Sequence, residues 1–511
     1  MSVFSPRRYQ PPYYPYTPDG FALRAVAAVE YAIKDVLFSC RMCGNCILQE
    51  TAFVCPMTCP KGERNGPCGG STPEHCYVDT TRPCTWYEIY KRAEAMGPAQ
   101  MDKLLEIQAP VDGCRVGHEA WVALYEFWRK NGKDKGISFW SVLATFNPIG
   151  YKTEKIPPKV AKLLLDLRQP DWWKGDDKFH APAYSEPVSN LERQLRTGQF
   201  TVTAEIAPPQ SMNVEPMIKR IKLLRDWVVA ANYTDNASAS PKLSSQAASL
   251  TSQKNDLEAV MQLQTRDRNR YGLQSEAMAA SLMGVRNILC LTGDHLRLGP
   301  PPNPAAVQND MDAIMLIWML RRMRDEKVYL DGREIKTPPV YFLGAAASPY
   351  AALPRYEARR TEKKVNAGAQ FIQTQPIFDY NRFVEWMEAI DKRNLVGKTY
   401  ILAGLTPLKG AKTAHYMAEE VPGVVVPPEI VKRLDNTKDE KEEGVAIALE
   451  LIEKIKKTPG VSGIHIMPVF WEEIVPRLVK DGGLPLPLRA PAAPAAPAPA
   501  KPAPASAAPA A

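Results

Sequence analysis

The sequence lacks the features that mark several large classes of protein. It has no run of 18 apolar residues, which a membrane-spanning helix would need, and its amino terminus does not resemble a secretory signal. It has no basic tract interleaved with aromatic residues, so a nucleic-acid partner is not expected. No G-x-G-x-x-G follows a predicted strand, and no Ser/His/Asp set, HExxH or P-loop is present. These absences predict a cytoplasmic protein without an obvious nucleophile.

Cysteine is scarce outside one short window. Eight of the ten cysteines lie within residues 40–84, and the other two, Cys114 and Cys290, lie far apart. The eight are Cys40, Cys43, Cys46, Cys55, Cys59, Cys68, Cys76 and Cys84. The first three have the C-x2-C-x2-C spacing that places three thiolates on one tight loop, as an iron–sulfur cluster needs. Two four-cysteine clusters would use all eight.

Two other interpretations of the cysteine window stay open at this point. Zinc sites usually show two separated C-x2-4-C knuckles, whereas here a triplet opens the array and the later spacings are wide and irregular. Disulfides would need an oxidising compartment, which the amino-terminal sequence does not indicate. We therefore predict that the eight cysteines bind metal, as two [4Fe-4S] clusters or, alternatively, as a zinc site.

The chain of 511 residues is long enough for several domains and changes composition along its length. Residues 1–21 are rich in proline and tyrosine and predict an extended arm. Residues 22–97 form the cysteine-rich domain, whose first helix, over 22–38, is amphipathic and is expected to pack against that domain. Residues 98–195 predict a mostly helical connecting region. Residues 488–511 contain mainly alanine and proline and predict a disordered tail.

Residues 196–487 alternate short β-rich runs with helical patterns. Eight strands, each followed by a helix, are the signature of a (β/α)8 barrel. The candidate strands span 200–206, 227–234, 259–265, 287–293, 340–346, 371–377, 400–406 and 463–468. The predicted fold class is therefore α/β: a TIM barrel preceded by a small cysteine-rich metal-binding domain and a helical linker region. A doubly wound open sheet is the alternative.

The working residues of such barrels lie at the carboxyl ends of the strands. Glu205 ends the first strand in an apolar run, where desolvation would raise its pKa and suit it to general-acid chemistry. A structural ion pair with a barrel lysine or arginine is the alternative. Asp294 follows the fourth strand, where a turn or cap role is the default, and Gln375 lies in the sixth, where it could be a core amide. One acid with amides and hydroxyls fits chemistry carried by an organic cofactor.

Several motifs make a family resemblance specific. Residues 200–486 resemble the methylenetetrahydrofolate reductase barrel, and the resemblance rests on AEIAPP (204–209), QLQTRDRNR (262–270), GVRNILCLTGDH (284–295), KKVNAGAQFIQTQPIFD (363–379) and AGLTPL (403–408). Residues 22–97 look like the cysteine-rich domain that accompanies this reductase in some bacteria, especially acetogens, and CPKGERNGPCGG (59–70) carries that match. Here this domain precedes the barrel in one chain.

The resemblance implies the flavin-dependent reduction of 5,10-methylenetetrahydrofolate to 5-methyltetrahydrofolate. By position, Glu205 would be the general acid that promotes opening of the imidazolidine ring. Asp294 would lie near the flavin and the folate pterin, and Gln375 would hydrogen-bond the folate. Thr234 and Lys364 match flavin-contacting positions.

The chain also departs from the family pattern. Thr292 stands where well-studied members have an arginine, and the stretch after the fifth strand lacks the tyrosine and histidine that those members use around the adenine nucleotide. FAD is the flavin that the resemblance implies, and these departures make FMN an alternative. Electrons are expected through the clusters, from ferredoxin or another oxidoreductase complex, in an oligomeric enzyme. Alternatives are the same reductase using NAD(P)H with a structural zinc domain, or a non-catalytic barrel subunit of an electron-transfer complex.

Overall fold

The computed structural model describes five stretches of the chain: residues 21–117, 120–146, 156–300, 310–350 and 353–488. The predicted arm and the predicted Ala/Pro tail lie outside these stretches, apart from Phe21 and Leu488. No helix within the described stretches is long and apolar enough to cross a membrane.

The region ahead of the barrel is helical on both sides of the cysteine window. Its helices are α1 Phe21–Phe38, α2 Thr85–Met96, α3 Pro98–Lys103, α4 Ala120–Asn131, α5 Phe139–Leu143 and α6 Pro158–Arg168. Between α1 and α2, the described backbone has a single short helical element, the 3-10 turn Pro56–Thr58. The cysteine window therefore takes its shape from loops rather than from regular secondary structure.

The second half of the chain is a closed barrel of eight parallel strands in sequence order, with the last strand pairing with the first. The strands are β1 Thr201–Ile206, β2 Ala230–Tyr233, β3 Glu258–Gln264, β4 Asn287–Leu291, β5 Phe342–Ala347, β6 Phe371–Pro376, β7 Tyr400–Leu405 and β8 Val461–Ile466. Each overlaps a predicted strand, so the (β/α)8 prediction is confirmed. Parallel strands covered on both faces read as nearly continuous apolar runs, which is why the sequence located them well.

The barrel helices cover the outside of the strands. Helix α7 Asn190–Arg196 precedes β1 and packs through Leu191 and Leu195 against a separate apolar cluster of strand residues that includes Val260 and Phe371. The covering helices are α8 Glu215–Leu224, α9 Ser245–Gln253, α10 Arg270–Leu282, α11 Ala313–Asp325, α12 Pro354–Ala367, α13 Tyr380–Asp391, α14 Ala411–Glu419, α15 Pro428–Asp435, α16 Glu440–Lys456 and α17 Val475–Asp481. Inside the barrel, Asn232 and Gln373 exchange two amide hydrogen bonds of 2.6 and 3.2 Å. A buried polar pair of this kind is satisfied without water.

Helix α1 contacts its neighbours through an unexpected face. Val29, Ile33 and Val36, which define its apolar stripe, are 57%, 44% and 86% exposed, whereas Glu30 and Lys34 are buried and form an ion pair. The Glu30 carboxylate accepts the backbone N–H groups that begin α4, at 3.1 and 3.0 Å. Those helix-terminal donors need an acceptor and attract negative charge. The helix was predicted correctly, but the expectation that its apolar stripe makes the contact is wrong.

The cysteine-rich region rests on α12 of the barrel. Tyr90 of α2 stacks on Tyr356 of α12 with ring centroids 4.6 Å apart, within an apolar cluster that also contains Trp86. The Trp86 indole donates to the carbonyl of Glu63 at 2.9 Å, which ties the cysteine loops to the same cluster. This packing brings the cysteine window to the mouth of the barrel.

Candidate functional site

A cavity of about 420 Å3 opens at the carboxyl ends of the barrel strands. Its volume lies in the range of small-molecule and cofactor sites. One wall comes from the barrel and includes Gln262, Gln264, Thr292, Asp294, Lys364 and Gln375. The other wall comes from the cysteine window and consists of Lys61, Cys68, Gly69, Gly70 and Tyr77. Two parts of the chain therefore share one site.

Glu205, near the end of β1, lies one hydrogen bond from this cavity. Gln262, which lines the cavity, donates to the Glu205 carboxylate at 3.1 Å. Among the described residues, no lysine or arginine forms an ion pair with Glu205, so the structural pair considered as an alternative is not formed. Burial raises the pKa of Glu205 to about 7, although the Gln262 bond and the charge of Lys242 act to lower it. A carboxyl with this pKa can hold a proton near neutral pH.

Asp294 lies on the loop after β4 and lines the cavity. Its carboxylate accepts the backbone N–H of Ser238 at 2.9 Å, and its backbone carbonyl accepts from Arg266 at 2.9 Å. The preceding Gly293 has φ of +89°, and a Cβ there would lie 2.0 Å from the Gln264 side-chain oxygen. Only glycine allows this backbone to pass so close to β3.

The other three predicted barrel residues lie in different surroundings. Gln375 is exposed at the end of β6, and its side chain lines the cavity. Lys364 of α12 is buried, lines the cavity and donates to the carbonyl of Ala346; burial lowers its pKa to about 7. Thr234 is buried after β2, outside the cavity lining, and its hydroxyl has no hydrogen-bond partner in the described part of the chain. The structure thus brings Asp294, Gln375 and Lys364 together.

Sequence reasoning missed the residues that the cysteine window contributes to the site. The Lys61 ammonium donates to the carbonyl of Gly293 at 2.6 Å and lies 5.5 Å from the centre of the Tyr77 ring. The Tyr77 hydroxyl in turn accepts the backbone N–H of His295 at 3.3 Å. Lys61 stands in the CPKGERNGPCGG motif, which was the available signal, but the motif did not show that this side chain faces the barrel.

The cavity also contains polar atoms that lack partners. Ser348 and Arg360 line it, and both the Ser348 hydroxyl and the Arg360 Nε are buried without a hydrogen-bond partner among the described residues. Lys61 and Arg360 place two cationic side chains on its walls, and Lys364, whose pKa burial lowers to about 7, adds a third that is partly charged near neutral pH. Buried polar groups of this kind ordinarily have partners. The lining therefore fits a bound anionic molecule, such as an organic cofactor with a phosphate group.

The eight cysteines of the window divide into two sets of four. The first set surrounds a small cavity of about 30 Å3 and consists of Cys40, Cys43, Cys46 and Cys55. The second set surrounds one of about 10 Å3 and consists of Cys59, Cys68, Cys76 and Cys84. The turn Pro56–Thr58 separates the two sets along the chain. Cys68 belongs to the second set and also lines the barrel cavity, so that set is the one beside the barrel.

The state of these thiols bears on the alternatives for the window. All eight are free, so the disulfide interpretation is not supported. Within the described stretches, no three cysteine, histidine or carboxylate side chains converge closely enough to hold one metal ion. Burial raises the pKa of Cys40 and Cys55 to about 12 and that of Cys84 to about 11. Metal binding to these groups would therefore release protons.

Known proteins match both parts of the chain. Residues 190–483 match the family model described as methylenetetrahydrofolate reductase, and residues 23–113 match the model described as methylene-tetrahydrofolate reductase C terminal. The 5,10-methylenetetrahydrofolate reductase of Pectobacterium carotovorum subsp. carotovorum is 24% identical over 298 residues, which are 56% of this chain and 91% of that protein. Methylenetetrahydrofolate reductase 1 of Schizosaccharomyces pombe is 23% identical over 324 residues, which are 61% of this chain and 48% of that protein.

One solved structure to which the chain is similar is that of an uncharacterized protein from Clostridium thermocellum that binds two copies of 5-methyl-5,6,7,8-tetrahydrofolic acid. It has a TM-score of 0.42 and 18% sequence identity, and the alignment covers 57% of this chain and 98% of that one. The family assignment comes from the sequence matches instead. Because the matched region 190–483 spans more than half of the chain and contains the whole barrel, the chain belongs to the methylenetetrahydrofolate reductase family of enzymes.

Proposed function

We propose that the chain reduces 5,10-methylenetetrahydrofolate to 5-methyltetrahydrofolate on a bound flavin that receives its electrons through two iron–sulfur clusters. The shared cavity carries this proposal. Its barrel wall contains residues that the family resemblance assigns to folate and flavin, and its other wall contains Cys68 of the second cysteine set. A redox group held by that set would lie beside a cofactor in the barrel mouth.

The chemistry of the cavity supports a flavin nucleotide. Lys61 and Arg360 provide positive charge for a phosphate group, to which Lys364 adds when it is protonated. The unpartnered Ser348 hydroxyl provides a further polar contact. A bound flavin would supply the hydride for carbon reduction. These contacts are compatible with FAD or FMN, since both carry phosphate.

Within the reaction, Glu205 is proposed to supply the proton that opens the folate ring. The bond between N10 and the methylene carbon breaks, N10 receives the Glu205 proton, and the methylene carbon receives the hydride. The substrate thus gains two electrons and two protons. Gln262 positions Glu205 through its 3.1 Å hydrogen bond, while Asp294 and Gln375 lie on the same wall, where they can orient the pterin by hydrogen bonds.

The two cysteine sets support a cluster in each. Each set supplies the four thiolates that a [4Fe-4S] cluster uses. The four cysteines of each set line one small cavity, and within the described stretches they do not converge on a single metal ion. Zinc would require four ligands at short, tetrahedral distances. A ferredoxin or another oxidoreductase complex is the donor that this arrangement predicts.

Anaerobic purification followed by quantification of iron, acid-labile sulfide, zinc and flavin tests the proposal. The expected result is about eight iron atoms and one flavin per chain, together with methylenetetrahydrofolate reduction driven by reduced methyl viologen. Zinc without iron or sulfide would refute the cluster assignment and favour the structural zinc domain. Bound iron and flavin without turnover would favour the non-catalytic subunit.

A further inference from the structure

Arg64 is a buried cation whose partners are unusual for this protein. The structure describes six buried arginines. Five of them have a carboxylate within 4.0 Å: Arg266, Arg321, Arg322, Arg324 and Arg360. Arg64 is 2% exposed and forms no such pair among the described residues. A buried charge without a counter-charge is strongly unfavourable, so the surroundings of Arg64 require a negative group.

The guanidinium of Arg64 points at the first cysteine set. It contacts the Cys43 sulfur at 3.8 Å and the Met57 sulfur at 3.3 Å. Its remaining donors are held by backbone carbonyls of Ala109 and Asn45, each at 3.0 Å. Arg64 also lines the cavity that the first set surrounds. The carbonyl groups that accept from the guanidinium are neutral. Of the groups that it contacts, a cysteine of the first set is the one that can carry negative charge, as a thiolate.

Two other cationic side chains, Lys34 and Arg41, line the same cavity, and Arg41 is only partly buried. Lys34 forms an ion pair with Glu30. Arg64 is therefore the fully buried cation at this set that has no carboxylate partner among the described residues. Four thiolates around an iron–sulfur core carry the negative charge that matches it, and both the net charge and the hydrogen bonds to sulfur set the reduction potential of such a core.

We propose that Arg64 is the counter-charge of a cluster held by Cys40, Cys43, Cys46 and Cys55, and that its contact with Cys43 raises the reduction potential of that cluster. The inference rests on the proposed function, since it requires an iron–sulfur cluster in the first set. The change in reduction potential should be confined to the first-set cluster. The second set lies on the far side of the Pro56–Thr58 turn, and no hydrogen bond of the Arg64 side chain reaches a described cysteine of that set.

The test is a redox titration of the full-length protein, purified anaerobically and monitored by electron paramagnetic resonance. Cys43→Ser first identifies the signal of the first-set cluster by removing it. In Arg64→Gln, the ratio of oxidised to reduced first-set cluster at a fixed potential should rise about tenfold, which is 59 mV for a one-electron couple. The second signal should keep its midpoint. Arg64→Lys keeps the charge and should show a smaller shift.

A matched control separates this effect from general destabilisation. Arg324 is also buried, but its guanidinium contacts Asp325, Gln370 and the carbonyl of Tyr341 instead of cysteine. Arg324→Gln should lower the thermal stability and leave both midpoints unchanged.

Two outcomes would overturn the inference while leaving the proposed function intact. The first is an Arg64→Gln protein that retains its iron and both wild-type midpoints. The second is loss of first-set iron in Arg64→Gln and in Arg64→Lys alike, which would assign Arg64 a purely structural role. Iron loss in Arg64→Gln with retention in Arg64→Lys supports the counter-charge. Absence of iron from the wild-type chain would instead refute the proposed function itself.

Discussion

The two walls of the cavity are built in different ways. The barrel wall consists of strand ends and of the loops and helix α12 that follow them, and the parallel ladder sets their positions: Gln262 of β3, for example, is in register with Leu289 of β4. The cysteine wall consists of loops, joined to the barrel by polar contacts such as Lys61 to Gly293 at 2.6 Å and Asn65 to Asp312 at 2.8 Å. The barrel wall thus has a scaffold of its own, whereas the cysteine wall is held by its contacts with the barrel.

If each wall has its own task, substitutions should separate electron uptake from folate chemistry. The largest effect is expected for Cys68→Ser, which removes a thiolate from the set beside the barrel. Iron content should fall to about half, because one of two clusters is lost. Reduction of the bound flavin by the electron donor should fall to the background rate measured without that donor. Flavin reduction by 5-methyltetrahydrofolate, followed by stopped-flow absorbance, should persist. Loss of both half-reactions would show that the walls do not work independently.

The reciprocal substitution is Glu205→Gln, which removes the proton donor from the barrel wall. The folate half-reaction should slow by about 10²–10⁴-fold, the usual contribution of general acid–base catalysis. Iron, flavin and the reduction of the clusters by dithionite should be unchanged. Single-turnover kinetics at saturating folate measures the rate, and a wild-type rate in this variant would remove Glu205 from the proposed mechanism.

The pH dependence of the reduction rate tests the same role of Glu205, with a smaller expected effect. Because burial raises the pKa of Glu205 to about 7, its proton is present below that pH and lost above it. The rate of methylenetetrahydrofolate reduction should therefore fall about tenfold per pH unit above the pKa, and Glu205→Gln should lack this dependence. The same shift contributes stability that is complete below the unfolded pKa near 4.5 and is lost as the pH rises through about 7.

The smallest effect is expected where the two walls meet. Lys61→Met leaves the half-buried Gly293 carbonyl without its donor, which should cost about 1–3 kcal/mol. Since the cysteine wall depends on such contacts, hydrogen exchange should increase in residues 40–84 and around Gly293, and stay unchanged in the barrel strands. Lys61→Arg, which retains a donor and the charge, is the control. Uniform exchange changes throughout the barrel would contradict the difference between the walls.

The difference between the walls also explains what the sequence could predict. The eight strands were located because parallel strands buried on both faces leave apolar runs bounded by turns. Asp294 and Gln375 could be assigned to one site because strand ends converge at the mouth of a barrel. The position of Glu205 near the end of an apolar strand predicted a desolvated carboxyl, in agreement with its raised pKa.

The loop contacts could not be predicted in the same way. Cysteine spacing does not show that the division between the sets falls between Cys55 and Cys59, because no periodicity links loop residues in space. Arg64 reads as an ordinary surface arginine, and its burial follows only from contacts with distant segments. Helix α1 has a periodic apolar stripe, but this pattern does not show that the first N–H groups of α4 need a hydrogen-bond acceptor. Glu30 is buried because it is that acceptor.

The two cysteine sets are joined by a short stretch of chain, the turn Pro56–Thr58, which limits the distance between them. Cys55 and Cys59 are four residues apart, so even a fully extended chain keeps their Cα atoms within about 14 Å. Hydrogen bonds inside the turn, from Cys59 to Pro56 at 3.0 Å and from Thr58 to Cys55 at 2.8 Å, keep the chain folded. Motion of one set relative to the other is therefore restricted at this turn. Under the proposed function, the tether would preserve the distance over which an electron passes between the two clusters.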